Sequence, residues 1–360
     1  MLRGPRDIAV LDIPRWDLPP DMVMLAVRAC GVCGSDLRYF VGENPWALHT
    51  LGREVPNPPN IVLGHEFAGE VVEVGARADK RLLGKRVGAL AYTTCGTCLY
   101  CRTGRENLCP DTVHLGHGAG WGAMPYFPGA MAELCPVWSR QCYELPDALS
   151  WEEAALLDPL QVAVHAVELS GLRPGASFAV FGLGPIGLCA IQVARAYGAR
   201  LTVGTDVYPT PLEMARAAGA SLALDARTQD PVRGIREASG GLGADVLIDT
   251  IGSPRSLRDG LSCLARSGTL VNLAVHGGEY SFDGLALGSE RSIRTSSNSL
   301  FSDYGKAISL AASGAVDLGA MITHRFPLGE VPQAFALLLE KERHAAVKAI
   351  IEPQSAGAGR

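Results

Sequence analysis

The chain has 360 residues, 48% of them hydrophobic and 19% charged, with a formal net charge of −5. This excludes a disordered or fibrous chain, and the length predicts two domains. The acidic balance, with no block of Lys and Arg, predicts no nucleic-acid partner.

The opening residues MLRGPRDIAV lack a secretory apolar core, and the longest apolar stretch, residues 179–194, is broken by glycines and Pro185. A cytoplasmic protein without a membrane partner is expected. Ten cysteines do not suggest a disulfide scaffold, because four of them fall within fifteen positions. Such clustering reads as metal.

Residues 1 to about 150 alternate short β-branched runs with Gly and Pro, as in IVLGHEFAGEVVEVG, the texture of a strand-rich, partly barrel-like domain. Within it, CGTCLYCRTGRENLC spaces Cys95, Cys98, Cys101 and Cys109 by three, three and eight. A CxxC turn aims two thiolates at one centre, and the next two close a tetrahedral site suited to zinc, ahead of incidental thiols or an iron–sulfur cluster. Four protein ligands leave no open position, so this zinc is expected to be structural. Upstream, CGVCGSDLRYF and IVLGHEFAGE offer Cys33, His65 and Glu66, residue types that a catalytic zinc prefers.

Ser150, with Glu153 three residues on, marks a helix start, and from there helix-length segments alternate with strands. Strands are predicted at residues 178–181, 201–205, 221–224, 245–249, 269–274 and 292–296, which gives a doubly wound parallel sheet. Gly182, Gly184 and Gly187, with Pro185 and Ile186 between them, form GxGxxG directly after the first of these strands, the context of a dinucleotide-binding turn. Asp206 ends the next strand with no cation close behind it, which predicts NAD. Main-chain groups of the loops holding Asp249, Gly252, Ala274 and Val275 are expected to border the coenzyme. A helix over 304–313 precedes a return to the first domain, and the closing QSAGAGR is expected to be a disordered tail.

Taken in order, GVCGSD, GHEFAG, the four-cysteine lobe, EEAALLDPLQVAVHA, GLGPIG and ITHRFPL resemble the zinc-containing alcohol and polyol dehydrogenases of the medium-chain dehydrogenase/reductase superfamily over nearly the whole chain. The resemblance implies an α/β fold, with a GroES-like catalytic domain over 1–151 and 299–360 and a Rossmann NAD-binding domain over 152–298. It implies two zinc ions per chain and hydride transfer between NAD and a secondary alcohol or polyol, in a homodimer or homotetramer. A primary alcohol is the alternative substrate class, and a zinc-free quinone or enoyl reductase or a non-catalytic binding protein are the alternative functions.

By the same resemblance Cys33 and His65 are zinc ligands, and the third ligand position falls on Asp158, where relatives carry Cys or Glu. Glu66 is the alternative or transient ligand; for Asp158 the alternative is helix-terminus chemistry before Pro159. Ser35 would take the alcohol proton, and Asp36 would orient His65. Arg38 replaces a relay histidine, and Tyr39 sits at a substrate-contacting position. Trp121, Tyr126 and Phe127 are core or pocket wall. Residues 42–60, including Trp46, form a loop longer than the family pattern, whereas the amino terminus is a few residues shorter than is usual. Where sorbitol-type members carry an Arg-Tyr pair this chain has Ser299 and Leu300, which argues against a sorbitol-like substrate.

Overall fold

The computed structural model describes residues 1–275 and 279–354. They divide into two units, one of residues 1–158, 300–308 and 322–360, the other of residues 159–299 and 309–321. Segment 309–321, expected in the first domain, clusters with the second.

In the first unit the long strand β1 (Met22–Gly31) is buried along nearly its whole length, as its apolar run MVMLAV requires. Helix α1 (Gly34–Phe40) follows after two residues, starting at Cys33. Strands β2 (Glu66–Val74), β3 (Arg86–Ala89), β4 (Leu134–Trp138) and β5 (Cys142–Glu144) continue the unit. β1 pairs antiparallel with both β2 and β4, and β2 with β3. The short helix α2 (Trp151–Ala155) has the expected capping box between Ser150 and Glu153, and α3 (Leu157–Leu169) follows directly.

The second unit is built on six parallel strands: β6 (Ser177–Phe181), β7 (Leu201–Asp206), β8 (Leu222–Asp225), β9 (Ala244–Asp249), β10 (Leu264–Asn272) and β11 (Ser292–Thr295). Their order, β8-β7-β6-β9-β10-β11, is that of a doubly wound dinucleotide-binding sheet. Helices α4 (Pro185–Ala196), α5 (Pro209–Ala217), α6 (Pro231–Ala238) and α7 (Pro254–Cys263) alternate with its strands, each beginning with a proline whose missing N–H costs nothing in a first turn. Ala179, Val203, Leu247, Leu261 and Leu270 lie in the core of this unit. Each predicted strand is present, displaced by at most a few residues at its ends except for β10, which begins five residues early.

After α8 (Phe301–Ala312), β12 (Ile322–Pro327), α9 (Val331–Leu339) and β13 (Lys348–Glu352) rejoin the first unit. β13 pairs with β1, giving the order β12-β13-β1-β2-β3-β5. Val23, Leu25, Phe67, Val137, Phe335 and Ile351 meet in its core.

Candidate metal centres and coenzyme loop

One centre forms where β1 ends and β2 begins. The two strands are antiparallel with Gly31 opposite Glu66, so Cys33, just beyond one strand, and His65, just before the other, arrive side by side. The ligand atoms of Cys33, His65 and Glu66 all lie within 4.8 Å of one another. Asp36, fully buried in the first turn of α1, accepts the Cys33 N–H at 2.9 Å through Oδ2. Its Oδ1 stands 3.4 Å from Nδ1 of His65, a charge contact whose alignment is not that of a hydrogen bond. That neighbour favours a proton on Nδ1 and leaves the Nε2 lone pair for a metal. Ser35 Oγ is 3.4 Å from Nε2 on the other side.

Burial opposes a charge on His65, but the negative charges of Asp36 and Cys33 prevail and hold its pKa well above the ordinary value. Surroundings that draw a proton onto a buried imidazole also favour a bound dication, and the thiol, imidazole and carboxylate set suits zinc.

Glu66 does not point freely at this centre. Its Oε2 pairs with Nζ of Lys348 at 2.6 Å, both side chains being only 2% exposed. Lys348 also donates to the Val32 carbonyl at 3.1 Å. Gly31 makes room for this pair, since a Cβ there would collide with the Glu66 carboxylate. Nothing in the sequence signalled Lys348 beyond a lone charge in the apolar run AVKAII.

Asp158 is not brought into the set. It sits half-buried in the first turn of α3, and its charge is felt by Tyr92 and Tyr304, both already pushed up chiefly by burial. Arg38 is engaged by Glu43 at 2.6 Å. Tyr39 is a correction: it is 1% exposed, with its hydroxyl donating to Asn44 and accepting from the Trp46 N–H at 3.2 Å, so it braces the long loop. Trp121 donates to the His114 carbonyl at 2.6 Å and stacks on Trp138, Tyr126 donates to the Pro14 carbonyl, and Phe127 is core.

The sequence reading missed His114 and His117, although HLGH in a glycine-punctuated segment was the available signal. Gly116 takes φ +84, and a Cβ there would meet the Gly64 carbonyl at 2.6 Å, so the segment folds tightly against the residue before His65. Burial, then the charges of His65 and His49, push His114 down to about 3. His117 is likewise well below its ordinary value, by burial first. Both rings are therefore neutral.

The four cysteines form a second centre. Sγ separations are 3.5 Å for Cys98 and Cys101, 3.6 Å for Cys95 and Cys109, and 4.0 Å for Cys95 and Cys101. A tetrahedron with Zn–S bonds of about 2.3 Å requires S···S of about 3.8 Å. The thiols therefore already stand at zinc spacing. Backbone N–H groups of Cys98 and Cys101 reach the sulfurs of Cys95 and Cys98 at 3.4 and 3.5 Å, which stabilises thiolates.

In the second unit, β6 runs into the glycine turn. Gly182 has φ +85, a conformation L residues rarely adopt, and Gly187 packs its Cα against the Gly182 carbonyl with no room for a Cβ. Gly184 caps α4, leaving Pro185 and Ile186 half-buried at the helix start. Asp206, at the end of β7, accepts from Leu183 N–H at 2.7 Å with one oxygen and from Val207 and Tyr208 N–H at 2.7 and 3.0 Å with the other. Asp249 is buried, accepting from Ile251, Gly252 and Ser256, so it braces its loop. Ala274 donates its N–H to Asn272 and is half-buried, as is Val275, while Gly277 and Gly278 of the same loop lie outside the described residues.

A thiolate tetrad, a Cys–His–carboxylate centre in a strand-rich unit and a nucleotide turn on a parallel sheet are together the marks of a metal-dependent dehydrogenase. The alcohol dehydrogenase GroES-like domain matches residues 19–147, and the zinc-binding dehydrogenase domain matches residues 185–313. The chain is 33% identical over 341 residues to sorbitol dehydrogenase of Bacillus subtilis strain 168, covering 94% of this chain and 93% of that one. It is 32% identical over 328 residues to D-xylulose reductase A of Aspergillus niger, covering 90% and 87%. Among solved structures, an alcohol dehydrogenase from Thermus sp. ATN1 superposes with a TM-score of 0.86 at 30% identity over 98% of both chains. The chain belongs to the zinc-binding alcohol dehydrogenase family of the medium-chain superfamily and is an oxidoreductase using zinc and a nicotinamide coenzyme.

Proposed function

We propose that this protein is an NAD-dependent dehydrogenase of secondary alcohols or polyols, with a catalytic zinc at Cys33 and His65 and a structural zinc at the four cysteines. The observation that carries this is the clustering of Cys33, His65 and Glu66 with the Ser35 hydroxyl 3.4 Å from His65 Nε2. When bound, zinc supplies a Lewis acid that lowers the pKa of a substrate hydroxyl, and NAD supplies the hydride acceptor. Ser35 is placed to take the proton from that hydroxyl, and Asp36 holds the tautomer and orientation of His65. Lys348 neutralises Glu66 and holds its carboxylate beside the other two donors. Asp158 remains the proposed third ligand of the resting centre, with Glu66 as its substitute.

Asp206 supports NAD. Its carboxylate is fixed by three backbone N–H groups beside the glycine turn, where it can accept from ribose hydroxyls and repel a 2′-phosphate. The nearest following arginine, Arg216, is turned to the Ala223 carbonyl. Main-chain groups at Gly184, Pro185, Ile186, Ala274 and Val275 complete the proposed coenzyme contacts. We place the enzyme in the cytoplasm as a homodimer or homotetramer. No helix among the described residues is long and apolar enough to cross a membrane.

The test is NADH formation from a panel of secondary alcohols and polyols, with metal analysis of the same sample. Turnover with two zinc ions per chain is expected. No coenzyme-dependent turnover, or full activity without metal, would overturn the reading.

A further inference from the structure

Phe301 opens α8 just after the chain passes from the second unit back into the first at residue 300. Its surroundings hold it more firmly than a helix start requires. Asp303, fully buried, reaches back to accept the Leu300 N–H at 2.8 Å, which is the local cap. Two further side chains fix the main chain of Phe301 itself: Glu106 Oε1 accepts its N–H at 2.8 Å, and the Tyr143 hydroxyl donates to its carbonyl at 2.8 Å. A carboxylate makes the strongest bond to such an N–H, and its charge meets the positive end of the helix.

Glu106 belongs to the four-cysteine lobe. Its own carbonyl accepts the Cys109 N–H at 3.0 Å, so the side chain that grips α8 lies one turn away from a sulfur of the tetrad. The last residues of α8 belong to the second unit, with residues 309–321. There the Val316 N–H returns to the Leu310 carbonyl at 3.2 Å, and Gln192 clasps Asp317, accepting its N–H at 2.8 Å and donating to its carbonyl at 3.3 Å. Gln192 is 5% exposed and lies in α4, the helix that begins at the glycine turn. Each of these contacts is made within one unit, and the continuous helix α8 joins them.

We propose that Glu106 is a positioning residue for coenzyme binding. By anchoring the first turn of α8 to the cysteine lobe it sets, through Asp317 and Gln192, the seat of α4 and of the helix start that meets the coenzyme phosphates. This rests on the readings of the glycine turn as the coenzyme site and of the four cysteines as a zinc lobe. Coupling between distant sites is carried by such chains of hydrogen bonds and rigid elements. The lobe thereby has a task beyond bracing its own loop.

The experiment measures the Kd of NADH by titration calorimetry, and Tm, on the wild type, Glu106→Ala, Glu106→Gln, Gln192→Ala and the double variant Glu106→Ala/Gln192→Ala, all zinc-loaded. Glu106→Ala should raise Kd about fivefold, the low end of couplings between sites. Glu106→Gln keeps an acceptor oxygen and should recover at least half of that affinity. Gln192→Ala should act in the same direction, and the double variant should be no weaker than the weaker single, because both break one connection. Tyr143→Phe, which keeps the ring and loses the bond to Phe301, is the second probe should Glu106→Ala not fold, and it should also weaken NADH binding. A lowered Tm with unchanged Kd would reduce Glu106 to a helix cap and overturn the proposal, as would a Glu106→Gln no better than Glu106→Ala, or additive losses in the double variant. A wild type that binds no NADH, or holds no zinc at the lobe, overturns it together with the readings on which it rests.

Discussion

Replacing Lys348 by methionine isolates the buried Glu66–Lys348 pair. Both side chains are 2% exposed and the N···O distance is 2.6 Å, so neither charge has water to fall back on. Removing one member of such a pair leaves the other charged and uncompensated, at a cost of about 3–5 kcal/mol. The lost bond to the Val32 carbonyl adds about 1 kcal/mol. In a domain of this size each kcal/mol lowers Tm by about 2–4 °C, so a drop of roughly 8–24 °C is expected for the first unit. Glu66→Gln in the Lys348→Met background removes the stranded charge, and most of the loss should return, since an uncharged replacement of a buried pair is often close to neutral. Calorimetry of the zinc-loaded single and double variants measures this, reading the transitions of the two units separately. A fall below about 2 °C for Lys348→Met, or a double variant no more stable than the single, would refute the view that Lys348 compensates Glu66.

Metal analysis should find two zinc ions per chain. Mild chelation should abolish activity before structure, and Cys33→Ser should nearly abolish turnover while Cys98→Ser mainly lowers stability; near wild-type kcat in Cys33→Ser would refute the site. Wild-type kcat/KM should favour NAD over NADP by about a hundredfold, from a difference of about 3 kcal/mol, and Asp206→Ser with Val207→Arg should shrink or invert the ratio; an unchanged ratio would show that Asp206 does not read the ribose. His114, held at about 3 chiefly by burial, binds fewer protons folded than unfolded. Its contribution to stability is fully present above about pH 6.5 and is lost on acidification towards pH 3, by up to about 1.4 kcal/mol per pH unit. His114→Phe should flatten the dependence of Tm on pH between about pH 4 and 6, whereas parallel profiles would refute this.

The parallel sheet was legible because most of its strands are short apolar runs close to Gly or Pro, and the glycine turn because Gly182 and Gly187 occupy positions that exclude side chains. The thiolate tetrad was equally plain, since its spacing lies within one loop. The Cys33–His65 centre needed the accumulated resemblance, because those residues are brought together by pairing of β1 with β2, which spacing alone does not report. Lys348 was invisible for the same reason, lying 282 residues from Glu66 in sequence. Tyr39 misled because position within a motif does not reveal that a hydroxyl is already occupied by Asn44 and Trp46. His114 and His117 carry a signal only when the rings around them are known.

The second unit is inserted into the first, with β13 supplied by residues 348–352. During synthesis the coenzyme-binding sheet is complete by about residue 295, while the sheet carrying Glu66 still lacks the strand that brings Lys348. Domains tend to fold as units as they emerge, so the nucleotide fold is able to form first, and the catalytic unit must wait until β13 has been made. A nascent or truncated chain that ends before Lys348 keeps a Glu66 without its counter-charge, so synthesis of β13 is the event that closes the unit.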